Sequence, residues 1–547
     1  MKRLLVILIA FALLAAACGG SDDDDAGGAD DSSTDDATEG SSTDDGGSTD
    51  NDSDDDTESN DDAGGDDTAG ADEAAGGGDA TGEGGGSADQ ELSEGLDLPE
   101  CPVGAHLDAD GVVEIDFWHP YTALTEEAME DLATGFNASQ DKIVVNVQAQ
   151  GNYGELLSKY RESISFDDLP AVAIADTGAF RDMVDSGTVI PAQSCVEADD
   201  FDLSAIDEQV RAFYSIDGAL YPAQMNVSTP VLYYNRDHFE AAGLDPDSPP
   251  STLAEVRDAA QTIKDAGVAA TPLSLLMQGW FVENWLTGAG VPLVNADNGR
   301  AGNATEAAFN GPEALELYNL LAEMNDAGLI VAFSNTPGQL SHYLAAVEPG
   351  TASMIIETST ASTTVAGVLG GTSDLSELVE QSGGGSAIEG ATELNINIDV
   401  APLPGLNSAG AIFISGGAYY ITDSGSDAEK AAAWEFMKYI SGVDQQKTIH
   451  LKGSYLPTNA AVLNDAEVQA VWQNDAAGQW LATAYAQLAV INPEFPGPAI
   501  GPFTEQRQIL NRSLEELILG GGDPATILAD AAADLDAALA DYADANF

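Results

Sequence analysis

Between Val112 and Asp176 the hydrophobic pattern switches repeatedly between two periods, and this alternation constrains the fold more than any other feature of the chain. VVEIDFWH (112–119) reads as a strand, and TEEAMEDLATGFNAS (125–139) reads as an amphipathic helix with a capping-box start at Thr122 or Thr125. KIVVNVQAQ (142–150) is a second strand, GELLSKYRESI (154–164) a second helix and PAVAIAD (170–176) a buried third strand. A βαβαβ order implies a mainly parallel sheet with helices on both faces. Ligands in such sheets sit beyond the carboxyl ends of the strands. Here those ends are Trp118-His119, the Gly151-Asn152-Tyr153 turn and Asp176-Thr177-Gly178.

The later chain repeats the theme. PVLYYN (230–235), SMIIET (353–358) and AIFISGGAYYIT (411–422) read as strands. HFEAAG (238–243) is a short helix stopped by Gly243, and 252–267 is a longer one opened by Pro250 and Ser251. Residues 426–440, 504–519 and 524–545 also carry helical patterns. Residues 101–547 are too many for one ordinary core, so two lobes are expected. The chain shows no internal repeat of solenoid length.

Ahead of this part the composition changes completely. Lys2 and Arg3 precede an apolar run from Leu4 to Leu14, which suits a signal peptide (1–17) better than a membrane span. Ala15-Ala16-Ala17-Cys18 resembles the lipobox of bacterial lipoproteins, with Cys18 the lipidated residue; the alternative is an ordinary cleavage site with an incidental cysteine. Residues 18–100 are Asp, Gly, Ser, Thr and Ala with almost nothing apolar, so they are expected to form a disordered acidic linker. Together these place the protein outside the cytoplasm, lipid-anchored to the outer face of the cytoplasmic membrane. Of the 3 cysteines, Cys101 and Cys195 remain as a pair, either bonded to each other or two free buried thiols.

Charge and motifs exclude several functions. There are 93 acidic and 17 basic residues and the net charge is -76; about 30 of the acids precede Cys101, so the remainder is still strongly acidic. Nucleic-acid binding needs clustered Lys and Arg, so no such partner is expected. A Gly-x-Ser-x-Gly elbow, a phosphate-cradling P-loop and a His-Glu-x-x-His zinc helix are all missing from the sequence. His119, at a strand end, is read as structural rather than catalytic. No enzyme activity, metal or cofactor is expected.

Several segments taken together resemble a known family. They are FWHPYT (117–122), GNYGELL (151–157), NVSTPVLYYNRDHFEAAGLDPDSPPSTLAEV (226–256), QGW (278–280), SGGAYYI (415–421), GSYLPTN (453–459) and EQRQI (505–509). In this order they resemble the extracellular solute-binding proteins of ABC transporters, family 1, and most of all the sn-glycerol-3-phosphate-binding type. The resemblance implies a two-lobed α/β periplasmic-binding-protein fold, with a hinge of several crossings and the ligand in the interlobe cleft. It places crossings near 223–228, 356–360 and 418–422. Lobe one is then about 110–225 and 358–418, and lobe two about 226–357 and 419–547. It also implies a monomer that hands a small molecule to membrane permease subunits served by a cytoplasmic ATPase.

The same resemblance assigns the pocket. Tyr153 and Tyr455 would offer phenol hydroxyls, Asp176 would bind glycerol hydroxyls, and Ser228 would hold phosphate oxygens; Thr358, with Ser359 beside it, falls where the family has a serine. Gly417 would admit the ligand to the backbone, Trp280 would form an aromatic wall, and Arg507 would clamp phosphate through paired donors. Two positions depart from the family pattern. Asp176 stands where glutamate is frequent, and Met277 replaces the first tryptophan of a Trp-Gln-Gly-Trp run. The expected ligand is therefore sn-glycerol-3-phosphate or a larger glycerophosphodiester such as glycerophosphocholine. Competing readings are a di- or oligosaccharide-binding protein, a secreted hydrolase on the same scaffold, and a surface adhesin.

Overall fold

Two mixed β-sheets with helices on both sides organise the folded part. The computed structural model describes residues 98–166, 168–334, 342, 350–369, 396–491 and 496–546. The expected signal peptide, the lipid site Cys18 and nearly all of the expected linker lie outside the described residues. No helix among the described residues is long and apolar enough to cross a membrane.

The strands in chain order are β1 (Val113–His119), β2 (Ile143–Ala149), β3 (Val172–Asp176), β4 (Val189–Ile190), β5 (Ser215–Ile216), β6 (Ala219–Leu220) and β7 (Gln224–Ser228). They continue with β8 (Pro230–Asn235), β9 (Leu273–Met277), β10 (Ile330–Ser334), β11 (Met354–Thr358), β12 (Ile398–Pro402) and β13 (Ser415–Thr422). The first sheet runs β2-β1-β3-β13-β4, with β7 also on β13; the second runs β10-β9-β11-β8-β12. β1 is parallel to both β2 and β3, as the βαβαβ pattern requires, whereas β13 runs antiparallel to β3. Strands β5 and β6 form a separate hairpin.

The expected lobe boundaries need correction. The segment 358–418 was assigned to lobe one, yet β11 and β12 flank β8 in the second sheet. The segment 419–547 was assigned to lobe two, yet β13 belongs to the first sheet. Trp434, Phe436, Met437, Ile440 and Ile449 are buried in the same core as Val113, Ile115 and Phe117 of β1. The chain therefore crosses at Ser228–Pro230, again between Pro402 and Ser415, and a third time after Ala460, where the helix Ala476–Ala486 packs on β12. Two of the expected crossings, near 356–360 and 418–422, fall inside sheet strands or at their ends. Hydrophobic patterning marks a strand as buried but does not say which sheet will pair with it.

Local chemistry explains where the helices start. Asn152 with Glu155, Thr252 with Glu255, and Ser426 with Glu429 form reciprocal capping boxes. Thr122 occupies the expected cap of helix Ala123–Ser139, but its side chain makes no capping bond. Gly243 ends helix Arg236–Ala242 at φ 80°. Cys101 and Cys195 are joined by a disulfide inside the first-lobe core.

Candidate functional site

The middle of β13 is the floor on which the site is built. Gly417 lies opposite Asp176 of β3 on one side and Asn226 of β7 on the other. A Cβ on Gly417 would stand 2.5 Å from the Tyr153 hydroxyl and 2.7 Å from the Tyr121 hydroxyl, so only glycine leaves these phenols their place. Tyr153 opens the helix capped by Asn152, which aims its ring back across the sheet end. Its hydroxyl lies 3.3 Å from that of Tyr121 and 3.2 Å from that of Tyr455. Asn226 Nδ2 donates to Tyr121 at 3.0 Å and to Tyr419 at 2.8 Å. Burial, reinforced by the neighbouring phenols, raises the Tyr121 and Tyr153 pKa values well above the ordinary value, and burial pushes Tyr455 up to about 12. The cluster thus stays neutral and offers O–H groups at physiological pH.

His119, the histidine singled out from sequence, supports this floor. Its Nδ1 accepts the backbone N–H of Tyr121 at 3.2 Å. Burial lowers its pKa to about 4, so the ring is neutral and fixes the turn that carries Tyr121.

Arg507 approaches from the other lobe. It lies on helix Phe503–Glu515, which packs closely on helix Gly279–Gly288: a Cβ on Gly279 would meet Leu510 Cβ at 2.7 Å and the Arg507 carbonyl at 2.8 Å. The guanidinium donates through Nη1 to Asp176 Oδ1 at 3.1 Å and through Nη2 to Glu283 Oε2 at 2.9 Å. Nε reaches Glu283 Oε1 at 3.4 Å, and the Phe503 ring lies 4.5 Å from the guanidinium carbon. Burial opposes the charge on Arg507, but Glu283 and Asp176 outweigh it and hold the pKa above its ordinary value. Asp176 keeps 29% of its side chain exposed, whereas Glu283 keeps none.

A second group gathers at the first crossing. Ser228 pairs with Ser415 of β13, whose hydroxyl accepts the Trp280 indole N–H at 2.7 Å. Trp280 therefore ties a second-lobe helix to a first-lobe strand. Thr358 ends β11 opposite Pro230 and caps the turn that follows, accepting the Thr360 N–H. Ser359 is buried and its hydroxyl accepts the Thr229 N–H at 3.2 Å. Met277 is buried at the end of β9.

The structure thus joins Tyr153, Asp176, Gly417, Tyr455 and Arg507 in one contiguous set where the two lobes meet, with Ser228, Trp280 and Thr358 around the adjoining crossing. Sequence reasoning did not single out Tyr121, Asn226, Ser415 or Glu283. Glu283 carried a readable signal: it is an acid inside the apolar helix GWFVENWLTG (279–288), where an unpaired carboxylate is costly. Asn226 and Ser415 carried none, because their roles depend on cross-strand pairing. Among the described residues no group of His, Cys, Asp and Glu could hold a metal ion.

Known proteins resemble this chain in sequence or in fold. The sn-glycerol-3-phosphate-binding periplasmic protein UgpB of Rhizobium meliloti (strain 1021) is 27% identical over 446 residues, covering 80% of this chain and 96% of that protein. UgpB of Brucella abortus (strain 2308) is 28% identical over 436 residues, covering 78% and 93%. Among solved structures, UgpB from Mycobacterium tuberculosis in complex with glycerophosphocholine has a TM-score of 0.60 at 18% identity, covering 79% of this chain and 100% of that one. The cyclic alpha-maltosyl-1,6-maltose binding protein from Arthrobacter globiformis has a TM-score of 0.60 at 22% identity, covering 78% and 99%. These two structural likenesses speak for the two-lobed fold. The family model of the bacterial extracellular solute-binding proteins matches residues 131–477, more than half of the chain. With two sheets, a chain that crosses between them and polar side chains meeting where they face, this chain belongs to the bacterial extracellular solute-binding protein family, as a solute-binding protein of an ABC transporter.

Proposed function

We propose that this protein captures a glycerol phosphate ester, sn-glycerol-3-phosphate or a glycerophosphodiester such as glycerophosphocholine, and delivers it to its permease without chemical change. The observation that carries this reading is Arg507. Its guanidinium reaches across the cleft to a partly exposed partner, Asp176, beside three phenol hydroxyls. A phosphate oxygen is the natural replacement for a carboxylate oxygen on a guanidinium fork. Asp176, once displaced, is free to accept from glycerol hydroxyls or to face an ammonium group. The glycerol-phosphate ligand named for the UgpB relatives agrees with this chemistry. Anchoring through Cys18, a monomeric state and docking to permease subunits complete the proposal.

A second reading has its own support. Arg507 is already satisfied by two carboxylates, and a cleft of carboxylate and phenol groups also suits sugar hydroxyls. Thermal unfolding against sn-glycerol-3-phosphate, glycerophosphocholine, maltose and trehalose separates the two. A ligand at 100 times its dissociation constant adds about 2.7 kcal/mol and raises Tm. A shift with a phosphate ester that Arg507→Ala abolishes supports the first reading. A shift with a sugar alone replaces it with the second.

A further inference from the structure

We propose that Glu283 sets the ligand charge the cleft accepts: by neutralising Arg507 from inside the protein, it makes the site prefer a singly charged phosphodiester to a doubly charged phosphate monoester. The assignment rests on the phosphate-ester reading of the cleft and specifies it further.

Arg507 has two carboxylate partners of different kinds. Glu283 is fully buried in an apolar helix, with both oxygens on the guanidinium and Oε1 also 3.4 Å from Gln506 Nε2. Buried there, it has no solvent to turn to and stays on Arg507 whether or not ligand is present. Asp176 belongs to the opposite lobe, is partly exposed and is held by one guanidinium contact and the Gly178 N–H. It is the exchangeable partner.

Charge accounting follows from this difference. Arg507 with Glu283 sums to zero, and Asp176 leaves the cleft at minus one. Among the described residues, these are the ionised side chains in contact with the guanidinium. The other titratable groups near the site are the phenols of Tyr121, Tyr153, Tyr214, Tyr419, Tyr420 and Tyr455, all raised above the ordinary tyrosine value first by burial, and His119, lowered by burial. None of them adds a positive charge at neutral pH. A phosphate monoester carries about -1.5 to -2 at pH 7 because its second pKa is about 6. Bringing it beside Asp176 concentrates negative charge that a neutralised Arg507 does not offset. A phosphodiester carries a single charge, and one with an ammonium arm brings none in total, while the displaced Asp176 becomes that arm's partner.

The test measures Kd of the full-length protein for sn-glycerol-3-phosphate and for glycerophosphocholine at pH 5 and pH 8 by calorimetry. Titration of protein groups moves both affinities, but only the monoester ionises a second time, so their ratio isolates the ligand's charge. The expected result is that glycerophosphate loses about tenfold or more relative to the diester between pH 5 and pH 8, in step with its second ionisation near pH 6. Glu283→Gln, checked for folding by circular dichroism, is expected to flatten that change; a loss shared equally by both ligands would instead indicate a purely structural role. The wild-type ratio decides whether the site has this charge preference even if the variant does not fold. A ratio independent of pH overturns the assignment alone, and failure of both esters to bind overturns the phosphate-ester reading with it.

Discussion

Asp176 and Arg507 face each other across the cleft and join the two lobes through one 3.1 Å contact between carboxylate and guanidinium. Other links bridge the same opening: Arg300 Nη1 donates to the Phe213 carbonyl at 2.8 Å, and Arg181 Nη2 to Asn303 Oδ1 at 3.0 Å. The Asp176 contact is partly open to solvent, so screening limits it to about 0.2–1 kcal/mol. Asp176→Asn is expected to shift the unliganded protein toward a more open form, read as a larger radius of gyration in X-ray scattering. An identical scattering curve would mean that the remaining contacts between the lobes, among them Trp280 on Ser415, hold them together without it.

Gly417 is predicted to tolerate no side chain. A Cβ there meets the Tyr153 and Tyr121 hydroxyls and the Ile174 Cγ2 at 3.0 Å or less. Gly417→Ala should cost about 1–3 kcal/mol of stability, as overpacking does. It should also weaken ligand binding about tenfold or more, since tenfold corresponds to about 1.4 kcal/mol. Wild-type affinity in this variant would remove the phenols from the binding floor.

His450 makes stability depend on pH. The Trp472 indole N–H donates to its Nε2 at 2.8 Å, and its Nδ1 lies 2.8 Å from the Tyr455 carbonyl, so the ring is held neutral with its proton on Nδ1. Burial lowers its pKa from 6.5 to about 4. Between those values the unfolded chain binds the proton and the folded chain does not. The stabilisation is complete above pH 6.5 and is lost as pH falls toward 4, by at most about 1.4 kcal/mol per pH unit. His450→Gln should flatten this part of the Tm–pH profile; an unchanged slope would show that other groups govern it.

The Cys101–Cys195 bond closes a sequence separation of 94 residues within the first lobe. Removing it should cost about 2–5 kcal/mol. Reductant should lower the Tm of the wild type and leave the Cys101→Ser/Cys195→Ser double variant unchanged. An equal effect of reductant on both proteins would rule the bond out as its target.

Much of the first sheet was legible because β1, β2 and β3 alternate with helices, and β2 and β3 both pair in parallel with β1. The hinge was not. β13 pairs with β3, a strand about 240 positions earlier, and β12 pairs with β8, about 165 positions earlier. Strands that far apart share no local pattern, so their assignment to lobes went wrong. Glu283 was readable as an anomaly in an apolar helix, but its partner lies 224 positions away.

The sequence by itself determined β1, β2, β3, β8, β11 and most of β13, the helices that alternate with the first three, and the family motifs that carry Tyr153, Gly417, Tyr455 and Arg507. These follow from local periodicity and short-range hydrogen bonding. Tertiary structure alone decided which lobe each returning strand joins, that Asp176 and Glu283 share one guanidinium, and that Tyr121 completes the phenol cluster. Those relationships arise when packing brings distant segments within hydrogen-bond distance, and no local pattern encodes that distance.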